Sequence, residues 1–194
     1  MTPPPTTPAT WTPRDAEKLY NMPGWGLGFF RTNADGHVTV HADGDPAHGL
    51  DLYQLAMDLQ AQGVGLPLLL RFSDILRMRI QTLATQFQNA ITENGYEGTY
   101  TTVYPIKVNQ QRQVVEEVID FGRPYDFGLE AGSKPELLAV IAMTDNDTPI
   151  ICNGFKDAEF IELAMLAHKM GRRIMPVVEK YTELGLVLEY AAKV

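Results

Sequence analysis

The stretch Tyr125-Asp126-Phe127-Gly128-Leu129-Glu130-Ala131-Gly132-Ser133-Lys134-Pro135-Glu136, with the apolar run that follows it to Met143, holds both halves of one repeating unit. Residues 125–129 are β-prone and apolar on both faces. Ser133 stands as an N-cap with Glu136 three positions on, the spacing of a capping box, and the run behind it reads as a helix. The same strand-then-helix order occurs four times: 100–107 with 114–121, 125–129 with 136–143, 149–152 with 158–170, and 173–178 with 182–193. Strands apolar on both faces and separated by amphipathic helices imply a parallel sheet with helices packed outside it. The expected class is therefore α/β.

Upstream of these units, residues 66–72 read as a short apolar strand. Ser73 then caps a long amphipathic helix (Ile75, Met78, Leu83, Phe87, Ile91) that stops at Gly95. Leu50, Leu52, Leu55, Ala56 and Leu59 form a helical stripe ending at Gly63. Residues 27–32 and 37–42 are β-rich runs joined by Asn33-Ala34-Asp35-Gly36, a hairpin, and Asp43-Gly44-Asp45-Pro46 is a second turn. Thr12-Pro13 opens a short helix through Tyr20. Residues 1–13 contain five prolines among threonines and alanines and read as a disordered tail. The expected organisation is a tail at 1–13, a helix, hairpin and strand-helix region at 14–98, and the repeating α/β part at 99–194. Leu186, Val187, Leu188, Tyr190 and Ala191 are still in helical periodicity when the chain stops at Val194, with no C-cap glycine.

The chain has 194 residues and a net charge of −8, with 45% hydrophobic and 21% charged residues, an ordinary soluble composition. An acidic pI near 4.9, without any basic cluster interleaved with aromatics, argues against a nucleic-acid partner. The longest apolar runs fall far short of the roughly 18 residues of a membrane span, and no secretory leader is visible at the N-terminus. A single cysteine, Cys152, excludes an internal disulfide and any zinc site with two Cys ligands. A cytoplasmic setting is expected.

Gly24-Trp25-Gly26-Leu27-Gly28 leads into a hairpin strand and not into a helix, so it reads as a flexible turn with Trp25 pinned to a core. His37 and His41 share a strand face without ligand partners, and His48 and His168 are isolated, so no metal centre is expected. Cys152, at the end of an apolar strand, reads as buried and inert. Lys18, Lys169, Lys180, Lys193 and Lys156 sit where solvated lysines belong. Lys107 is different: it closes Thr102-Val103-Tyr104-Pro105-Ile106 at the carboxyl end of a strand, where parallel α/β proteins bind ligands. In a partly desolvated place its amine becomes a nucleophile for Schiff-base chemistry; a strand-end lysine reaching water is the plainer reading. Glu130 ends the next strand at the same rim, and Asn153 the one after. Glu136 is explained as a helix cap and Lys134 as a solvated loop residue.

Tyr104-Pro105-Ile106-Lys107-Val108-Asn109-Gln110 resembles the pyridoxal-phosphate lysine motif of the biosynthetic arginine decarboxylases, in the fold-type III group with ornithine and diaminopimelate decarboxylases. Gly128–Lys134 and Ile151-Cys152-Asn153-Gly154-Phe155-Lys156-Asp157 are similar to the N-terminal third of those enzymes. The resemblance implies a pyridoxal 5'-phosphate, (β/α)8 TIM-like barrel of which this chain carries about four βα units, preceded by a helix and β-hairpin region. It implies that Lys107 is the catalytic, cofactor-linked lysine, that Glu130 acts electrostatically beside it, and that Asn153 lies toward the cofactor. L-arginine would lose CO2 to give agmatine in polyamine and spermidine biosynthesis, with Mg2+ as a further cofactor and a homo-oligomer as the assembly. A full barrel needs roughly 250 residues. The family's ring-stacking histidine, glycine-rich phosphate loop and cross-dimer cysteine-aspartate element would lie beyond Val194, so the chain is expected to be an inactive fragment. Two alternatives stand beside this: another basic amino-acid decarboxylase of the same group, or a non-catalytic half-barrel serving binding or assembly.

Overall fold

The computed structural model describes residues 10–194, and these fall into two compact units, one reaching to Met78 and the other Arg79–Val194. The expected tail lies mostly outside the described residues; Pro13 already starts the first helix.

In the first unit, α1 (Pro13–Leu19) begins at Thr12, whose backbone N–H and hydroxyl both donate to Asp15 Oδ2, at 2.9 and 2.6 Å. Glu17 Oε1 accepts from the backbone N–H and hydroxyl of Thr32, at 2.7 and 2.9 Å, and ties α1 to β1 (Phe30–Thr32). Between them, α2 (Met22–Gly26) occupies the glycine-rich segment expected to be a turn. Trp25 there is 55% exposed and rests against Phe30, with ring centroids 5.2 Å apart, so it is not pinned in a core. The expected hairpin is present: β2 (Val38–Val40) pairs antiparallel with β1, Phe30 opposite Val40. Its turn is held by Asn33 Oδ1, which accepts the N–H groups of Asp35 and His37 at 3.0 and 2.9 Å. A third strand that the helical stripe had absorbed, β3 (Leu50–Asp51), pairs with β2. Asp51 then caps α3 (Leu52–Ala61) by accepting from the Gln54 N–H at 3.0 Å.

Residues 66–72 form no strand. Pro67 offers no N–H to a ladder, and the run does not pair; Leu66 and Leu69 are exposed while Leu68, Leu70 and Phe72 are only half-buried. The chain continues into the long helix α4 (Ser73–Glu93), as its periodicity predicts.

The second unit is built on four parallel strands, β4 (Val103–Pro105), β5 (Gly128–Ala131), β6 (Ile150–Cys152) and β7 (Ile174–Pro176), in that spatial order. Each is followed by a helix: α5 (Arg112–Gly122), α6 (Lys134–Met143), α7 (Ala158–Lys169) and α8 (Tyr181–Lys193). Side chains alternate along a strand, so parallel register sorts them into two faces. Leu129, Ala131, Ile150 and Cys152 are fully buried on one face against Val115, Val118, Leu137, Val140, Phe160 and Ile161 of the helices. The other face carries Pro105, Glu130, Ile151 and Met175 in one row, set by the pairings Pro105↔Glu130, Glu130↔Ile151 and Ile151↔Met175. That row is only partly buried. Gly128 is obligatory to the close pairing of β5 with the chain before β6, since a Cβ there would stand 2.3 Å from the Pro149 carbonyl oxygen.

The helix-covered face is the core of this unit. Leu129→Ala is expected to lower unfolding stability by about 2–5 kcal/mol, and Leu138→Ala, at a 56% exposed position of the same β5–α6 unit, by less than about 0.5 kcal/mol. Urea denaturation of both variants checks this; equal losses would mean that burial against the helices is not what holds the unit together.

Candidate functional site

The carboxyl ends of the strands form a rim of short loops, and each loop is shaped by caps that the sequence carries. After β4 the chain turns through a single 3-10 turn, Ile106–Val108, anchored by the buried Ile106. This presents Lys107 outward. The loop then closes on itself: the Tyr104 hydroxyl donates to the Asn109 carbonyl oxygen at 3.2 Å, and Asn109 Oδ1 accepts the Gln111 N–H at 3.0 Å. After β5, Ser133 Oγ accepts the Glu136 N–H at 3.4 Å while Glu136 Oε2 accepts the Gly132 N–H at 2.7 Å. This is the capping box read from the sequence, displaced by one residue on its return bond. After β6, Asp157 caps α7 by accepting the Phe160 N–H at 2.9 Å.

Lys107 and Glu130, singled out from sequence on neighbouring strands, come together here: Lys107 Nζ lies 4.0 Å from Glu130 Oε1. The Glu130 side chain is 16% exposed and that of Lys107 is 65% exposed. The plainer of the two readings of Lys107 holds: the strand-end amine reaches water, beside one half-buried carboxylate. Asn153 follows β6 on the same face as Ile151 by alternation, half-exposed, with its backbone N–H donated to the Ala131 carbonyl oxygen at 3.1 Å. The three residues therefore share one face at one end of the sheet, with Glu130 on the strand between the other two.

Two lysines depart from their expected roles. Lys134 opens α6 and, though still partly exposed, is held by ion pairs: its Nζ donates to Asp157 at 2.8 Å and Glu159 at 2.5 Å, joining the start of α6 to the start of α7. Those hydrogen bonds raise the Lys134 pKa, and the bond from Lys134 chiefly lowers that of Asp157. Lys156, expected in solvent at a helix start, is buried. Its side chain has no exposed surface, and its Nζ lies 3.5 Å from Glu183 Oε2. A partner 27 positions away left no signal in the sequence around Lys156. The nearest available sign was Glu183 at the third position of α8, where it forms a capping box. Burial opposes ionisation of Glu183, but the N–H groups of Glu179, Lys180 and Lys156 and the Lys156 charge outweigh it and hold its pKa below the ordinary value.

Cys152 is buried as expected, and burial pushes its thiol pKa up to about 12 against a weaker opposing pull from Lys156. Among the described residues, no group of three His, Cys, Asp or Glu gathers as a metal site, and no helix is long and apolar enough to cross a membrane. A cavity of about 580 Å³, lined by Tyr100, Tyr125, Asp126 and Arg173 among others, lies at the amino ends of the strands, away from Lys107.

Residues 77–194 match the family described as pyridoxal-dependent decarboxylase, pyridoxal binding domain. The biosynthetic arginine decarboxylase of Rhodopirellula baltica is 50% identical over 181 residues, covering 93% of this chain and 27% of the relative. That of Gloeobacter violaceus is 50% identical over 186 residues, covering 94% of this chain and 29% of the relative. Among solved structures, the biosynthetic arginine decarboxylase of Campylobacter jejuni superposes with a TM-score of 0.83 at 34% identity, over 90% of this chain and 29% of that one. The chain thus spans less than a third of the length of these relatives.

A thiol whose pKa rises from 9.0 to about 12 loses about a thousandfold of its thiolate at neutral pH. Cys152 is expected to react with Ellman's reagent at least about a hundredfold more slowly in the native chain than in urea. Comparable rates in the two states would show that the end of β6 is open to solvent.

Proposed function

The chain belongs to the pyridoxal-dependent decarboxylases, through their pyridoxal binding domain, and on that premise we propose that it carries the cofactor lysine of an enzyme converting L-arginine to agmatine and CO2. The observation that carries this reading is the meeting of Lys107 and Glu130 at 4.0 Å, at the carboxyl end of a parallel sheet, within the matched segment. Arginine as substrate rests on the names of the relatives.

The residues fit pyridoxal 5'-phosphate at its aldehyde end. That group needs a primary amine with free approach, and the Lys107 amine is exposed at the end of the sheet face that carries Glu130. When bound, pyridoxal phosphate supplies an electron sink for the electron pair left behind as the α-carboxylate departs as CO2. Lys107 would hold the cofactor through Nζ. Glu130 Oε1, 4.0 Å from that nitrogen, would take, across one bridging water, the proton that Nζ loses when it bonds to the cofactor. Asn153, one strand beyond Glu130, offers an amide to polar groups of the bound cofactor. The half-buried position of Glu130 strengthens its field relative to a carboxylate in open water.

The wider setting follows from the same reading: polyamine and spermidine biosynthesis, a cytoplasmic location, a homo-oligomeric assembly and no nucleic-acid or membrane partner. Mg2+ belongs to the family expectation, but no cluster among the described residues fits it, and no step is derived through it.

Because the chain spans under a third of its relatives' length, the test places it in their context. A hybrid in which this chain replaces the matched segment of the Rhodopirellula baltica relative is expected to release agmatine and CO2 from arginine. Borohydride reduction should then fix pyridoxal phosphate on Lys107. Lys107→Ala should abolish both, and Glu130→Gln should lower kcat by about 10- to 100-fold. Label retained in the Lys107→Ala hybrid, or an active Lys107→Ala hybrid, overturns the assignment.

A further inference from the structure

The loop after β6 is held in place by a buried ion pair that the proposed chemistry does not use. Lys156 is completely enclosed, and its ammonium donates to the Gly154 carbonyl oxygen while facing Glu183 Oε2 at 3.5 Å. Glu183, 3% exposed, also accepts three backbone N–H groups: those of Glu179 at 2.9 Å, Lys180 at 3.3 Å and Lys156 at 3.3 Å. The Gly154 N–H in turn donates to Glu179 Oε1 at 3.3 Å. These bonds join the loop after β6 to the loop after β7 and to the first turn of α8, where Glu183 stands. On its other side the same loop rests on the loop after β5. Gly154 has φ +101°, and a Cβ there would stand 3.0 Å from the Gly132 carbonyl oxygen, so backbone packs directly on backbone. Three consecutive rim loops are thereby fastened into one piece, with Lys156 at its centre.

A buried pair of this kind is weak evidence for stability, because desolvating both charges offsets most of their attraction; its more telling property is that it admits one arrangement of its surroundings. We propose that Lys156 is a positioning residue of the rim: its buried pair with Glu183 fastens the loop after β6 to the loop after β7 and sets where Asn153 stands toward a bound pyridoxal phosphate. The cofactor part of this rests on the function proposed above; the fastening itself does not.

Two readouts separate the parts. Lys156→Met leaves Glu183 as a lone buried carboxylate and lowers the melting temperature. Lys156→Met combined with Glu183→Gln removes both charges and recovers most of that loss. In the 194-residue double variant, amides of residues 153–156 and 179–180 are expected to exchange with solvent at least about tenfold faster than in the parent. In the hybrid, the same pair of substitutions should weaken the apparent affinity of pyridoxal phosphate, read by borohydride trapping at Lys107, by about tenfold or more. Val118→Ala, at a buried position of α5, should cost stability but leave both readouts near the parent. Parental exchange at the rim in the double variant, or equal acceleration in Val118→Ala, overturns the proposal. Should the double variant not fold, Glu183→Gln alone is read in the same way. Absence of Lys107 labelling in the unmodified hybrid sinks the cofactor reading and leaves the exchange measurement to decide the fastening. Faster exchange with unchanged cofactor affinity overturns the positioning of Asn153.

Discussion

In the sheet β4-β5-β6-β7, parallel pairing aligns Pro105, Glu130, Ile151 and Met175 on one face and Tyr104, Leu129, Ile150 and Ile174 on the other. Helices α5 to α8 bring their apolar stripes to the second face only, which is why Leu129 and Ile150 are fully buried while Glu130 can be a carboxylate within the same strand. A slip of one residue would drive Glu130 under α6 and Leu129 into water, an exchange far more costly than any contact at the rim returns. The register that forms the core is thus also what places Glu130 4.0 Å from Lys107. Burial on one side and chemistry on the other are a single constraint.

Three lysines at the same end of the sheet show how environment divides one residue type into different roles. Lys107 projects from a 3-10 turn into solvent beside one carboxylate. Lys134 spans two helix starts through exposed bonds to Asp157 and Glu159, where water screens the attraction and the gain is small. Lys156 is enclosed and must keep Glu183, since losing either partner would leave a bare charge in the interior. The amine that stays accessible is the one beside Glu130 at the strand end, and the enclosed one shapes the loop beside it. Membership in the pyridoxal-dependent decarboxylases gives that accessible amine its proposed use.

Much of the α/β half was legible in the sequence because its signals are local. The capping box at Ser133 and Glu136 depends on residues three apart, and the helical periods of α5 to α8 on residues three and four apart. The rim position of Lys107 and Glu130 followed from strand ends alone. What failed was whatever depended on a distant partner. Residues 66–72 have a strand's composition but pair with no strand among the described residues, and Pro67 cannot donate to one. Leu50 fits a helical stripe, yet it pairs with Val40 as a strand. Trp25 was expected in a core and lies on the surface.

By itself the sequence determined the order of strands and helices in the second unit, the caps that start its helices, and the lysine and carboxylate offered at adjacent strand ends, because each rests on interactions within a few residues. Only the tertiary structure decided that Lys107 would be exposed rather than desolvated, and that Lys156 would be buried rather than solvated. Exposure and charge pairing are sums over neighbours from several strands and helices, and Lys156 finds Glu183 only once β6 and β7 lie side by side.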